Sequence, residues 1–254
     1  LGPKEHFGAG ITSPGDLNGD GVQDIIVGAP DDDDGGRDRG ALWALFMQTN
    51  GIVLSEQKMS SLVGMPSGAS LGPKDRMGTA LAPADDINED GVPDIFVGIC
   101  NNDDGLKDAG AVWLMYLTSA GTVLSVDKIS STHGNFHGQL DKKDCFGASV
   151  AALGDFDLDC IPEIVVGAPF DDQDNAAGTA KKDVGAAWVI FLADIANLSR
   201  EAQVSVANEP EVAHFATSDA AQTTASETLE FTAEFSLDVF PNPADDIVYV
   251  SVNA

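Results

Sequence analysis

Positive charge is what this sequence has least of. Only 13 Lys and Arg stand against 41 Asp and Glu in 254 residues, a formal charge of -28. So negative a surface repels polyphosphate unless its cations cluster, and here they are scattered, which excludes nucleic acid and anionic membrane surfaces as partners. Metal cations are the natural counter-charge. No apolar run approaches the ~20 residues of a membrane helix, so no membrane insertion is expected. The opening LGPKEHFG has neither a basic start nor an apolar signal core, and reads as internal to a longer chain. The three cysteines, Cys100, Cys145 and Cys160, include no CxxC pair, and an odd number is not a complete disulfide framework. They leave the redox compartment open. With 43% hydrophobic and 21% charged residues, the chain nevertheless has the means to build a packed core.

What is present is a unit repeated three times. LGPKEHFG recurs as LGPKDRMG at 71–78 and, more weakly, as KKDCFG at 142–147. An acidic loop follows each: DLNGDGVQD at 16–24, DINEDGVPD at 86–94 and DFDLDCIPE at 155–163. Then come IIVGAP, IFVGIC and IVVGAP, a second acidic segment, and GALWALF, GAVWLMY and GAAWVIF, in which Trp43, Trp113 and Trp188 hold one position. The apolar segments are short, rich in β-branched residues and bounded by Gly, Asn and Asp, the pattern of strands. Four fit in each unit; in the first they fall near 8–15, 24–29, 40–47 and 52–60, the last pair joined by a turn at Thr49, Asn50 and Gly51. A four-stranded antiparallel unit in tandem is the form of a propeller blade.

The acidic loops carry the chemistry. Ca²⁺ takes six to eight oxygen ligands, and alternating Asp and Asn in a tight loop aim several inward. The first loop offers Asp16, Asn18, Asp20, Asp24 and the carbonyl of Val22; the second offers Asp86, Asn88, Asp90, Asp94 and the carbonyl of Val92. The third offers Asp155, Asp157, Asp159, Glu163 and the carbonyl of Ile161, with Cys160 where Gly21 and Gly91 make the turn in the others. An EF-hand is excluded, because its twelfth-position Glu is replaced by Val27, Val97 and Val166 inside the next strand. No His or Cys joins the donor sets, which argues for a structural metal and against a catalytic one. The competing reading is a plain solvated turn, since Asp, Asn and Gly favour turns. The second acidic segments, around Asp31 to Asp34, Asn101 to Asp104 and Asp171 to Asp174, belong at the opposite end of each blade, where they form either a ligand-binding face or a solvated rim.

The order of Phe7–Gly8, the acidic loop and Gly28–Ala29–Pro30, repeated with Phe146–Gly147 and Gly167–Ala168–Pro169, closely resembles the FG-GAP repeat of integrin alpha subunits and many bacterial surface proteins. The middle copy departs from it, with Met77 for Phe and Ile99 and Cys100 closing the second motif. The resemblance covers residues 1 to about 206. It implies an all-β fold, a partial β-propeller of three four-stranded blades at 1–63, 64–134 and 135–206. It also implies Ca²⁺ in the loop between the first two strands of each blade. Three blades do not close a ring of the usual ~4 to 8, so either further blades in a longer parent chain or self-association is expected.

Signals for catalysis are weak. Ser70 sits in GASLG, which fits GxSxG, but in an inter-blade loop with no helix after it. His133 and His137 have helical metal spacing, with Gly and Asn between them that favour a loop. The three Trp read as packing between sheets in preference to a sugar platform. Residues 207–230 read as a linker. Beyond it, 231–254 holds two alternating strands around Pro241, Asn242 and Pro243, which resembles the opening of the C-terminal sorting domain of type IX secretion cargo, a truncated β-sandwich-like segment. The expectation is therefore a secreted or cell-surface protein that binds calcium ions and an extracellular protein or glycan ligand, an adhesion or interaction scaffold and not an enzyme. An accessory propeller of an extracellular hydrolase and a lectin-like carbohydrate binder are the alternatives.

Overall fold

A computed structural model describes residues 2–136, 138–156, 161–172 and 182–192, together with the backbone of 236–240 and 249–253. Its elements are strands: β1 (Ile11–Gly15), β2 (Asp24–Ala29), β3 (Ala41–Met47) and β4 (Val53–Ser60); β5 (Ala80–Asp85), β6 (Asp94–Ile99), β7 (Ala111–Leu117) and β8 (Val123–Ser130); then β9 (Ser149–Gly154), β10 (Glu163–Ala168), β11 (Ala186–Ile190), β12 (Ser236–Phe240) and β13 (Tyr249–Asn253). Among the described residues there is no helix. The first two sheets run β1-β2-β3-β4 and β5-β6-β7-β8, all antiparallel, with matching registers: Val27 faces Trp43 and Val97 faces Trp113. The turn between β3 and β4 closes as the sequence predicts, with the Gln48 amide donating to Ile52 O at 2.8 Å and Gly51 at φ 80°.

The sheets stack face to face as successive blades of a partial β-propeller, and the core lies between them. One cluster joins Ile26, Leu42 and Phe46 of the first sheet to Ile95, Trp113 and Met115 of the second. Another joins Phe96, Leu114 and Tyr116 to Phe146, Ile164 and Ile190 of the third. The middle sheet is therefore covered on both faces, and all seven residues of β7 are buried, whereas β3 alternates. This explains why β7 reads AVWLMYL without a polar residue.

The third sheet differs. Its order is β12-β13-β11-β10-β9, so the C-terminal hairpin, which the sequence placed in a separate segment, adds to the free edge of β11. Ser251 pairs with Trp188 where Lys58 pairs with Trp43 and Lys128 with Trp113. An edge strand offers unpaired N–H and C=O groups to any alternating segment within reach. The fourth strand expected before residue 206 falls outside the described residues.

Candidate metal centre and the loops around it

The candidate ligands of the first two units lie at one end of their blades, where β1 turns into β2 and β5 into β6. In the first turn the Asp16 carboxylate accepts amides from Gly19 at 2.8 Å, Asp20 at 3.1 Å and Gly21 at 2.6 Å. These bonds, the one from Gly21 foremost, hold its carboxyl below the usual range. Asp20 accepts the Val22 amide at 2.9 Å, and the Asn18 side-chain N–H reaches the other Asp20 oxygen at 3.1 Å. The second turn repeats the arrangement: Asp86 accepts from Asp90 and Gly91, Asp90 from Val92, and Asn88 donates to Asp90 at 3.0 Å. Gly21 and Gly91 stand at φ 86° and 88°, the left-handed conformation expected there.

The ninth-position acid does something its sequence position did not reveal. Asp24 is buried, with one oxygen accepting the Leu17 amide at 2.9 Å and the other the Met47 amide at 2.9 Å. Asp94 likewise holds Ile87 at 3.2 Å and Leu117 at 2.9 Å. Each carboxylate thus ties its turn to the end of the third strand, 23 residues away. Burial pushes the Asp94 carboxyl up to about 6; the Leu117 and Ile87 amides oppose this, while Asp90 and Asp86 add to it. Glu163 is the buried counterpart in the third turn, where it accepts the Phe156 amide. Asp155 and Ile161 of that turn are described, whereas Asp157, Asp159 and Cys160 lie outside the described residues.

Among the described residues, no three carboxylate, imidazole or thiol groups converge as a ready-made ion site. The donors nevertheless fit a hard cation. Every candidate atom is oxygen, and each carboxylate that accepts amides has lone pairs remaining. In both complete turns an amide N–H of Asn18 or Asn88 stands against the fifth-position carboxylate. Asp86 and Asp90 crowd a buried Asp94 whose charge a cation would relieve.

At the opposite end the second acidic segments are not a plain solvated rim. Asp32 is buried, and Lys58 Nζ lies 2.7 Å from both Asp32 and Asp34. Burial pulls the Lys58 ammonium down, but its hydrogen bonds to the two carboxylates outweigh this and hold it above its ordinary value. The same ammonium lies 5.5 Å from the centre of the Trp43 ring; Lys128 repeats this over Trp113 at 5.4 Å and pairs with Asp104 at 3.5 Å. In the position of Asp32 the second unit has Asn102, whose side-chain N–H donates to buried Asp75 at 2.8 Å. The third has Asp171, whose carboxyl is pushed up to about 7 by burial first and by Asp144 next, with the Trp188 indole opposing. Ser70 lies exposed in the loop before β5. His133 contacts Asp104 at 2.8 Å and Thr132 at 2.9 Å, while His137 lies outside the described residues.

Two cysteines that spacing could not pair are bonded. Cys100 at the end of β6 and Cys145 before β9 form a disulfide across the second seam, with Cα atoms 4.3 Å apart. The corresponding positions of the first seam hold Pro30 and Arg76, and there Arg76 binds Asp31 at 2.7 Å instead. One structural position thus carries an ion pair in one seam and a covalent bond in the next. A hollow of about 280 Å³ lies over the bonded seam, lined by Asn101, Asp108, Lys143, Cys145, Phe170 and Asp183.

A stack of antiparallel sheets, with an oxygen-rich turn at the same end of the first two, defines a blade-repeat fold. The family profile of the FG-GAP repeat matches residues 8–45 and 77–115, one match in each of the first two units. The chain is 31% identical over 186 residues to integrin alpha pat-2 of Caenorhabditis briggsae, a match covering 70% of this chain and 13% of that protein. Integrin alpha-3 of Mus musculus is 32% identical over 162 residues, covering 64% and 14%. Phosphatidylinositol-glycan-specific phospholipase D of Bos taurus is 32% identical over 136 residues, covering 53% and 15%. The chain spans about one seventh of these curated relatives.

Proposed function

We propose that this chain is a calcium-stabilised propeller segment that works as an extracellular adhesion or protein-interaction scaffold, without catalysis of its own. The observation that carries the reading is the paired design of the two complete turns: three oxygen-bearing side chains at alternate positions, the second and third of them exposed, closed by a buried acid that reaches the third strand. Asp16, Asn18, Asp20 and Asp24 with the Val22 carbonyl would hold one ion. Asp86, Asn88, Asp90 and Asp94 with the Val92 carbonyl would hold a second, and Asp155, Asp157, Asp159 and Glu163 with the Ile161 carbonyl a third. Bound Ca²⁺ supplies charge neutralisation and a fixed strand connection; the chain's own residues set the turn and transmit it through the ninth-position acid. Extracellular modules bind Ca²⁺ with dissociation constants of about 10⁻⁴ to 10⁻³ M, a range suited to the outside of a cell.

The Cys100–Cys145 bond supports an oxidising location, since such bonds persist outside the cytosol. The likeness of residues 235–252 to a type IX sorting segment supports export by that route. A protein or glycan ligand would meet the end carrying the second acidic segments, the face away from the metal turns. An accessory role beside a hydrolase is the second reading, favoured by the similarity to phosphatidylinositol-glycan-specific phospholipase D. Calorimetric titration with Ca²⁺, paired with thermal melts with and without chelator, tests the first reading. Two or three sites and a Ca²⁺-dependent melting temperature are expected; absence of binding heat together with an unchanged melt refutes it.

A further inference from the structure

The turns at 16–24 and 86–94 meet in the seam between their blades. Leu17, second in the first turn, is 1% exposed and belongs to the cluster that joins the first two sheets; Val92, seventh in the second turn, packs against the same cluster. The arrangement recurs one seam on, where Ile87, second in the second turn, and Ile161, seventh in the third, pack against the cluster that joins the second and third sheets. The second turn thus sends its second residue into the seam ahead and its seventh into the seam behind.

Both side chains of the first seam are tied through their backbone to candidate ligands. The Leu17 amide donates to Asp24 at 2.9 Å, and the Val92 amide to Asp90 at 2.9 Å. The Val92 carbonyl is itself a candidate ligand. A second contact runs beside the first: Pro93 lies against Gly15, the residue before Asp16, so closely that a Cβ on Gly15 would stand 3.0 Å from Pro93 Cγ. Gly15 in turn pairs with Asp24 across β1 and β2.

Resting on the calcium reading above, we propose that the first two turns bind Ca²⁺ cooperatively, with Leu17 and Val92 carrying the coupling across the seam. Asp24, fixed as a ligand in the first turn, fixes the Leu17 amide; Asp90 and the Val92 carbonyl, fixed as ligands in the second, hold Val92. The two side chains share one packed cluster, which takes up discrete arrangements and does not adjust continuously. Ordering that cluster costs conformational entropy once, so the second ion meets a turn already ordered. Like charge in neighbouring turns acts the other way. Salt screens exposed charges beyond about 8 Å at 0.15 M and leaves packing untouched, so the coupling persists at high salt.

The Gly21 and Gly91 amides, which donate to Asp16 at 2.6 Å and to Asp86 at 2.8 Å, report the two turns separately in nuclear magnetic resonance of the full 254-residue chain. During titration with CaCl₂ at high salt, both should move together in a transition steeper than single-site binding. In Asp90→Asn the Gly21 amide should titrate at higher Ca²⁺, and in Asp20→Asn the Gly91 amide should. All three titrations should fit one coupling factor of about fivefold or more, the same in both directions. In chelator, Leu17→Ala should speed hydrogen exchange of the Val92 amide about fivefold or more, while β10, in the other seam, keeps its protection. Leu17→Ile, with the residue the second turn has at that place, should exchange like the parent. Glycine amides that do not respond to Ca²⁺ at all refute the calcium reading and the cooperativity with it. Amides that respond with midpoints unchanged between parent and variants overturn the cooperativity alone, as does a Val92 amide indifferent to Leu17→Ala.

Discussion

Reducing the Cys100–Cys145 bond perturbs one seam and leaves the other as an internal control. The bond closes a chain separation of 45 residues. Loop-closure entropy for a loop of that length stabilises the folded state by about 4 kcal/mol at 25 °C. For a chain of this size 1 kcal/mol corresponds to roughly 2 to 4 °C, so the double variant Cys100→Ser/Cys145→Ser should melt ~8 to 16 °C lower than the parent, with Cys160→Ser as the control. The loss should concentrate in β9–β11, which the bond holds against the second blade, while β1–β4 remain joined through Arg76 and Asp31. Thermal melts with and without reductant give the total, and amide exchange resolved by strand gives its location. An unchanged melt, or protection lost first in β1–β4, refutes the reasoning.

Asp171→Asn should copy what Asn102 does for Asp75, donating an amide N–H toward Asp144. Because the Asp171 carboxyl is raised from the ordinary 3.8 to about 7, the folded state binds its proton more tightly than the unfolded chain, and stability falls as pH rises from about 4 to about 7. The variant should therefore melt higher than the parent at pH 8 and nearly alike at pH 4, in melts run across that window; an equal shift at both ends contradicts the assignment. Asp24→Ala removes the acceptor of two amides, and at about 1 to 3 kcal/mol for each unsatisfied group it should cost ~3 kcal/mol in urea unfolding even without calcium. Asp24→Asn keeps one acceptor and should recover part of that stability without recovering Ca²⁺ affinity in calorimetry, which separates the two duties of the residue.

Strand positions were legible because alternation and glycine boundaries recur three times; the four strands of the first unit lie within three residues of the expected limits. The turn glycines were legible for the same reason, since Gly21 and Gly91 stand where a left-handed backbone is required. Burial of acids was not. Asp32 and Asp33 look alike in a run of four aspartates, and only the approach of Lys58 from β4 makes the first of them internal. The cysteine pair was hidden because its spacing follows the blade repeat and no local motif, and its two sulfurs meet only once one blade packs on the next. The pairing of β13 with β11 depends on an edge that the sequence does not display.

Calcium should order in the turns at 16–24 and 86–94 if they are cation sites and not merely tight turns. Anomalous diffraction from crystals grown with Ca²⁺ tests it most directly. A peak is expected in each turn, ligated by Asp16, Asn18, Asp20, Asp24 and the Val22 carbonyl in one and by Asp86, Asn88, Asp90, Asp94 and the Val92 carbonyl in the other. Turns that keep the Asn18 and Asn88 side-chain N–H against Asp20 and Asp90, with no peak at millimolar Ca²⁺, would contradict it.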